Sequence, residues 1–173
     1  MNTKNNKRRR ESIKLIEKAF IELLQSQEFR TITVSDICKM TGLNRSTFYA
    51  NFEDIYDLAD KLRDKLESSF ALAFPTAEAQ DDLHDGALRM FRHIYDNQLL
   101  YRTYFKLGYD EQFSVLTYDH GRAAADFGNT HIAYHIEFFR CGFNALVKLW
   151  LRGGCKESPE TMAEILKQEY RGR

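Results

Sequence analysis

The chain has 173 residues, 43% of them apolar, which is enough for one domain or two small ones with a real core. The 25 basic and 25 acidic side chains cancel overall, but residues 1–50 hold ten Lys and Arg against five acids, and residues 51–173 hold fifteen against twenty. A basic N-terminal segment followed by an acidic remainder of the chain indicates an anionic partner at the N-terminus, and nucleic acid is the first candidate.

The same composition excludes several classes of protein. No window approaches the roughly 18 uninterrupted apolar residues of a membrane span, and no apolar segment follows the basic N-terminus as in a secretory signal. Three widely separated cysteines indicate buried thiols in a reduced compartment and not a disulfide framework. We therefore expect a cytoplasmic protein without membrane contact.

Apolar residues follow a helical period along almost the whole chain, and no segment shows the sustained alternation of a strand. The first helix is predicted over residues 11–26. A capping box of Thr33 and Asp36 begins a short second helix. Gly42 permits a left-handed turn after it, and Asn44 caps a third helix.

The rest of the chain is also predicted to be helical, so that about nine helices form an all-α fold. A fourth helix begins near residue 53 and ends before Pro75, and the longest helix is expected over residues 129–152. The other predicted segments are residues 83–94, residues 99–107, a segment opened by Asp110, a bend or loop at 121–128, and a last helix that begins at Ser158-Pro159-Glu160.

Residues 33–52 have the layout of a helix-turn-helix, because two short helices are separated by a three- or four-residue turn that contains glycine. The second of these helices begins with the polar run from Asn44 to Thr47. Such side chains suit a major groove, since Arg bridges guanine acceptors, Asn pairs with adenine and the Thr methyl meets thymine. A structural hairpin with a solvated polar tip is the alternative.

Several short motifs follow one another with fixed spacing: Ala19-Phe20, Thr33-Val34, Asp36-Ile37, Thr41-Gly42-Leu43, Ser46-Thr47-Phe48-Tyr49, and Phe52 followed by Asp54 and Leu58. Through them the stretch from about Arg8 to Leu62 resembles the DNA-binding domain of TetR/AcrR-type transcriptional regulators. Residues 142–166 are also similar, more loosely, to the last two helices of one subset of that family.

The resemblance implies a helix-turn-helix DNA-binding domain at residues 1–54 and a helical dimerisation and effector domain at 55–173. The DNA-binding residues that it implies are Arg9, Thr33, Ser35, Asn44, Arg45, Ser46, Thr47 and Tyr49. Many family members carry a phosphate-binding lysine where this chain has Ile55. The basic arm of Lys4, Lys7 and Arg8–Arg10 is a possible replacement, and the alternative is a disordered, solvated tail.

Two further sets of residues are predicted in the C-terminal part. A long apolar stripe on the predicted helix 129–152, completed by the last helix, suits knobs-into-holes packing in a homodimer. Its interface residues are Phe139, Gly142, Phe143, Leu146, Trp150, Met162, Ile165 and Leu166. An aromatic set lines either an effector pocket or an ordinary core: Phe91, Tyr95, Tyr104, Phe105, Tyr134 and Phe138.

The sequence therefore predicts a regulator, most simply a repressor, that binds a palindromic operator as a homodimer and is released by a small hydrophobic or aromatic effector. Two alternatives stay open: a regulator that acts through a protein partner without such a pocket, and a helical module that does not bind DNA. Catalytic motifs are absent, and no cofactor is implied. His131 and His135 have metal-binding spacing, but without a convincing third ligand we expect no metal.

Overall fold

In the computed structural model, residues 4–73, 83–108, 128 and 130–170 are described. These residues contain eight α-helices, one 3₁₀ turn and no strand, which confirms the all-α prediction. The helices are α1 (Lys4–Ser26), α2 (Val34–Thr41), α3 (Arg45–Tyr49), α4 (Ile55–Ala73), α5 (Leu83–Asp96), α6 (Gln98–Leu107), α7 (Ile132–Arg152) and α8 (Pro159–Tyr170), and the 3₁₀ turn is Phe29–Thr31. The segment predicted after Asp110 and most of the bend predicted at 121–128 lie outside the described residues.

The chain divides into two compact units, Met1–Ser69 and Phe70–Arg173, which we call the N-terminal unit and the C-terminal unit. The division falls inside α4, later than the predicted domain boundary after residue 54. The functional division at residue 54 stays a prediction, because compactness alone does not test it.

The N-terminal unit is a three-helix core closed by the start of α4. Phe20 of α1, Ile37 of α2 and Phe48 of α3 are completely buried, as the helical spacing of their apolar neighbours predicts. Phe48 and Phe52 pack together with ring centroids 5.6 Å apart. This shared apolar core is what holds the short helix α3, because five residues are too few to form a stable helix alone.

The first helix begins at Lys4, well before the predicted start at residue 11. No glycine or proline interrupts residues 4–10, so the helix continues N-terminally from its apolar part. Side-chain hydrogen bonds stabilise this N-terminal part of α1, since Arg10 Nε donates to Asn6 O at 3.2 Å and Ser12 Oγ donates to Arg8 O at 3.1 Å. The basic segment is therefore helical, and the disordered tail considered from the sequence is wrong for these residues.

The C-terminal unit is built around α5, which packs on α8 and α6, while α6 also packs on α7. Aromatic rings fill its interior. Phe91 of α5 contacts Phe143 and Trp150 of α7, with ring centroids 5.5 Å apart in both pairs. Phe70 stacks on Tyr101 at 4.7 Å. This packing buries the side of α7 that faces α5.

Candidate nucleic-acid interface

The turn between α2 and α3 depends on Gly42, which has φ 71° and ψ 6°. Its backbone N–H donates to Cys38 O at 3.0 Å and so satisfies a carbonyl at the end of α2. Any side chain at this left-handed position is strained although space is open around it. The turn redirects the chain, and only three residues separate the end of α2 from the start of α3.

Thr33 and Asp36 form the capping box predicted for α2. The Asp36 amide donates to Thr33 Oγ1 at 3.2 Å, and the Asp36 carboxylate accepts from the Thr33 hydroxyl at 2.6 Å and its amide at 3.0 Å. These bonds from Thr33 hold the pKa of Asp36 below its usual range. The hydroxyl of Thr33 is thus engaged inside the cap, whereas Ser35, half-buried in the first turn of α2, is the other side chain predicted to touch a phosphate.

Asn44 caps α3 with its side-chain oxygen, as the sequence predicts, and this oxygen has more partners than expected. Asn44 Oδ1 accepts the Thr47 amide at 2.8 Å, the Ser46 hydroxyl at 2.8 Å and the Thr47 hydroxyl at 2.7 Å. Bidentate pairing with adenine needs this same oxygen. Base reading by Asn44 therefore competes with the cap, and the hydroxyls of Ser46 and Thr47 are drawn into the same cluster.

Arg45 and Tyr49 are the two large exposed side chains of α3. The side chain of Arg45 makes no hydrogen bond or ion pair with any residue in the described part of the chain. Tyr49 is 54% exposed, and its ring packs edge-on against Phe48 at 5.6 Å. Arg45 lies in the first turn of α3 and Tyr49 at its end, so the two side chains leave the helix at different heights.

Two cations from other elements contact Asn51 in the segment between α3 and α4: Arg9, which the sequence interpretation predicted to bind DNA, and Lys61, which it did not assign. Half-buried Ile55 begins α4, at the position where many family members have lysine. Lys61, six residues later in α4, places its Nζ 2.8 Å from Asp57 Oδ2 and 3.4 Å from Asn51 O. Arg9 Nε donates to the side-chain Oδ1 of the same Asn51 at 3.0 Å. Of these contacts, only the Asp57–Lys61 ion pair could have been predicted from the sequence, because its residues are four apart in one helix.

The predicted dimer stripe does not lie on the surface of the C-terminal unit. Phe139, Phe143 and Trp150 of α7 are buried within the chain, and so are Met162 and Leu166 of α8. Leu146 and Ile165 are half-buried, and Gly142 is exposed. The five buried residues are thus core and not interface, because α5 already covers the face of α7 on which the stripe lies.

A different face of α7 is exposed and apolar. Tyr134, Phe138 and Leu149 are 77%, 67% and 65% exposed, and Cys141, Gly142 and Ala145 lie between them on the same side of the helix. Next to this face, Arg140 donates from Nε to Glu137 Oε2 at 2.9 Å and from Nη2 to Glu137 Oε1 at 2.5 Å. Hydrogen bonds from Arg140 and then Cys141 lower the pKa of Glu137 to about 2.

The six residues predicted for an effector pocket do not share one environment. Phe91 and Tyr104 are completely buried, and Phe105 is half-buried with Lys148 Nζ above its ring at 5.4 Å. Tyr95, Tyr134 and Phe138 are exposed, so they do not line the interior of the described C-terminal unit. Tyr134 and Phe138 belong to the exposed face of α7 instead.

In the described ranges of the chain, no group of three or more His, Cys, Asp and Glu side chains is arranged to hold a metal ion. No helix of those ranges is long and apolar enough to cross a membrane.

The fold and the helix-turn-helix define a class of transcriptional regulators, and the comparisons agree. Residues 81–171, more than half of the chain, match the TetR family described as "Transcriptional regulator C-terminal region". The chain therefore belongs to the TetR-type family of DNA-binding transcriptional regulators, which confirms the resemblance noted in its N-terminal part.

One curated relative is the HTH-type dhaKLM operon transcriptional activator DhaS of Lactococcus lactis. It is 30% identical to this chain over 92 residues, which are 53% of this chain and 48% of the relative. The similarity thus spans about half the length of each protein.

Three solved structures share the fold. The TetR transcriptional regulator from Streptococcus agalactiae has a TM-score of 0.71 and 22% identity, over 96% of this chain and 97% of its own. The fatty acid degradation regulator FadR from Bacillus halodurans has a TM-score of 0.63 and 14% identity, over 94% and 97%. The dihydroxyacetone kinase operon activator DhaS has a TM-score of 0.51 and 20% identity, over 92% and 93%.

Proposed function

We propose that the protein binds a palindromic operator as a homodimer and represses transcription by occupying it. The observation that carries the proposal is the geometry of α3, a helix capped by Asn44, held by the buried Phe48, and presenting Arg45 and Tyr49 outward. In a two-fold dimer, two such helices enter successive major grooves about 34–36 Å apart. Arg45 then donates to guanine, and Tyr49 directs its hydroxyl to a phosphate.

The exposed face of α7 is the surface that we assign to dimerisation. Tyr134, Phe138, Ala145 and Leu149 follow one another at helical spacing, and all four side chains are exposed. Such a contiguous apolar face marks an interaction site on a protein surface. The same face of a second copy is its natural complement, because a two-fold interface is self-complementary, and Gly142 allows the two helices to approach closely.

Selection of bound fragments from random duplex DNA tests the proposal. We expect a palindrome whose half-sites are one helical turn apart, and affinity that falls steeply with salt, because Lys and Arg side chains displace counterions from the DNA phosphates. Sedimentation of the same preparation should show a dimer. Selected fragments without two-fold symmetry, or affinity that is independent of salt, would contradict the proposal.

A second candidate function is activation of transcription. It is favoured by the relative from Lactococcus lactis, which is named as a transcriptional activator and is 30% identical over the matched residues. An activator would act through a protein partner after it binds the operator. Transcription in vitro from a promoter that carries the selected palindrome separates the two, because added protein lowers the yield for a repressor and raises it for an activator.

Release by a small hydrophobic or aromatic effector is the remaining part of the proposal. Its support is the aromatic interior of the C-terminal unit, where Phe91 and Tyr104 are buried among other rings. An effector acts only if it binds the free form more tightly than the DNA-bound form. A compound that lowers operator affinity must therefore bind more weakly when operator is present.

A further inference from the structure

The polar groups of Asn51 contact three helices of the N-terminal unit, α1, α3 and α4. Its Nδ2 donates to Thr47 O of α3 at 2.8 Å, and its Oδ1 accepts from Arg9 Nε of α1 at 3.0 Å. Its backbone oxygen lies 3.4 Å from Lys61 Nζ of α4. One uncharged residue thus joins the end of α3, which is the recognition helix of the proposed function, to one cation of α1 and one of α4.

The two cations differ in how their charge is balanced. Lys61 is paired with Asp57 at 2.8 Å, so most of its charge is met within the protein. Arg9 is exposed, and no carboxylate lies within ion-pair distance of it anywhere in the described ranges. Its bond to Asn51 uses the Nε–H, and the terminal nitrogens of the guanidinium carry the donors that suit a phosphate.

The Asn51 bond sets where this unbalanced charge lies. A long exposed arginine side chain has many rotamers, and a hydrogen bond to Nε restricts the guanidinium to one place. That place is beside the last turn of α3, because Asn51 is also bound to Thr47. The cation is therefore held at a constant position relative to the helix that enters the groove.

We propose that Asn51 is a positioning residue that places the Arg9 guanidinium against an operator phosphate at the end of the recognition helix. This contact supplies the cation that is missing at Ile55. The proposal rests on the proposed function, since it concerns the same DNA interface. It adds that the position of Arg9, and not only its charge, contributes to affinity.

Arg9→Lys is the sharpest test, because it keeps the charge and removes the Nε donor. Arg9 is exposed, so the substitution leaves the core of the N-terminal unit intact. We expect Arg9→Lys and Asn51→Ala each to weaken binding to the selected operator by about tenfold. Asn51→Ala should weaken the Arg9→Lys variant no further, because the contact is already lost.

The salt dependence of binding separates this role from a structural one. Loss of one phosphate contact lowers the slope of log affinity against log salt by about one unit. We expect Arg9→Ala to lower it by that amount, and Asn51→Ala, although uncharged, to lower it in the same direction. An effect on folding alone would reduce the fraction of active protein at every salt concentration and leave the slope unchanged.

Asn97→Ala is the matched control. Asn97 Nδ2 donates to the backbone oxygen of His93, four residues earlier, at 2.8 Å, as Asn51 does to Thr47. This bond ends α5 in the C-terminal unit, so its loss should leave the slope and the affinity unchanged. Arg8→Ala, tested with and without Asn51→Ala, should give additive losses, because the exposed Arg8 side chain makes no hydrogen bond or ion pair with Asn51.

The outcomes are distinct. If wild-type protein binds its operator but Arg9→Lys binds equally well, or if Arg9→Lys and Asn51→Ala are additive, Asn51 does not position Arg9 and this proposal alone is overturned. If the wild-type protein shows no salt-dependent affinity for duplex DNA, the proposed function is overturned and this assignment with it.

Discussion

Phe91 of α5 lies against Phe143 of α7, with ring centroids 5.5 Å apart and planes inclined by 44°. Both side chains are completely buried within one chain. This pair shows which side of α7 belongs to the core of the C-terminal unit. The side with Phe138 and Leu149 is exposed, and it is the face that we propose for dimerisation.

The two sides of α7 should therefore respond differently to substitution. We expect Phe143→Ala to lower the free energy of unfolding by about 3–5 kcal/mol, because it leaves a cavity in the core. Phe138→Glu combined with Leu149→Glu should instead give a folded monomer, since the charges oppose burial in an interface. Urea unfolding checks the first result and sedimentation the second. A charged double variant that stays dimeric would show that this face is not the interface.

Asn44 is expected to act through the cap and not through bases. Asn44→Ser keeps a good N-cap and lacks the amide, so it should retain the selected operator sequence and lower the stability of the protein very little. Asn44→Ala should cost about 1 kcal/mol in stability and reduce affinity for all sequences. Fragment selection with both variants is the measurement. If the motif selected by Asn44→Ser differs at an A·T pair, Asn44 reads that base.

Arg45 and Tyr49 should separate sequence preference from affinity. Arg45→Ala is expected to cost about 1–3 kcal/mol per half-site and to relax the preference at one or two base pairs. Tyr49→Phe should weaken binding to all sequences alike, because a phosphate contact does not read bases. Comparing the DNA motifs that the two variants select tests the assignment. A changed motif for Tyr49→Phe with an unchanged one for Arg45→Ala would reverse the two roles.

The stability of the C-terminal unit should decrease as the pH falls below about 6.5. Burial lowers the pKa of His93, and the nearby Asp96 opposes this only in part. Between the pKa of His93 in the unfolded chain and its lower pKa in the folded chain, the unfolded chain binds a proton that the folded chain does not. The free energy of unfolding therefore decreases as the pH is lowered through this range. The ring is also held by the Tyr101 hydroxyl, 2.7 Å from His93 Nδ1.

Urea unfolding at pH 7.5 and 5.5 measures this dependence. His93→Gln should unfold at more nearly equal urea concentrations at the two pH values than the wild type. Tyr95→Phe, which removes an exposed hydroxyl two residues away, serves as the control and should behave as the wild type. A wild-type midpoint that rises on acidification would contradict the expected sign.

The helix-turn-helix was predictable because its determinants are local. Thr33 and Asp36 lie three residues apart and satisfy each other, and Gly42 is a residue type that relieves strain at a left-handed turn. Asn44 likewise caps a helix that begins at the next residue. The partners of these residues are within four positions, so their spacing in the sequence carries the information.

The orientation of α7 was not predictable in this way. Its residues form two apolar stripes, one through Phe139 and Phe143 and one through Phe138 and Ala145, and both have helical spacing. Only the packing of Phe91 from a distant helix decides between them. For the same reason, the Arg9–Asn51 bond was missed, because 42 residues separate its ends.

The indole of Trp150 has a further practical consequence. Trp150 is the single tryptophan of the chain, and it is 97% buried beside Phe91. Its Nε1 donates to Glu157 O at 3.1 Å, across the turn between α7 and α8. Excitation selective for tryptophan therefore yields emission from one known place in the C-terminal unit. A spectral shift on adding a small molecule would report a change at that place, and no labelling with an extrinsic dye is needed to observe it.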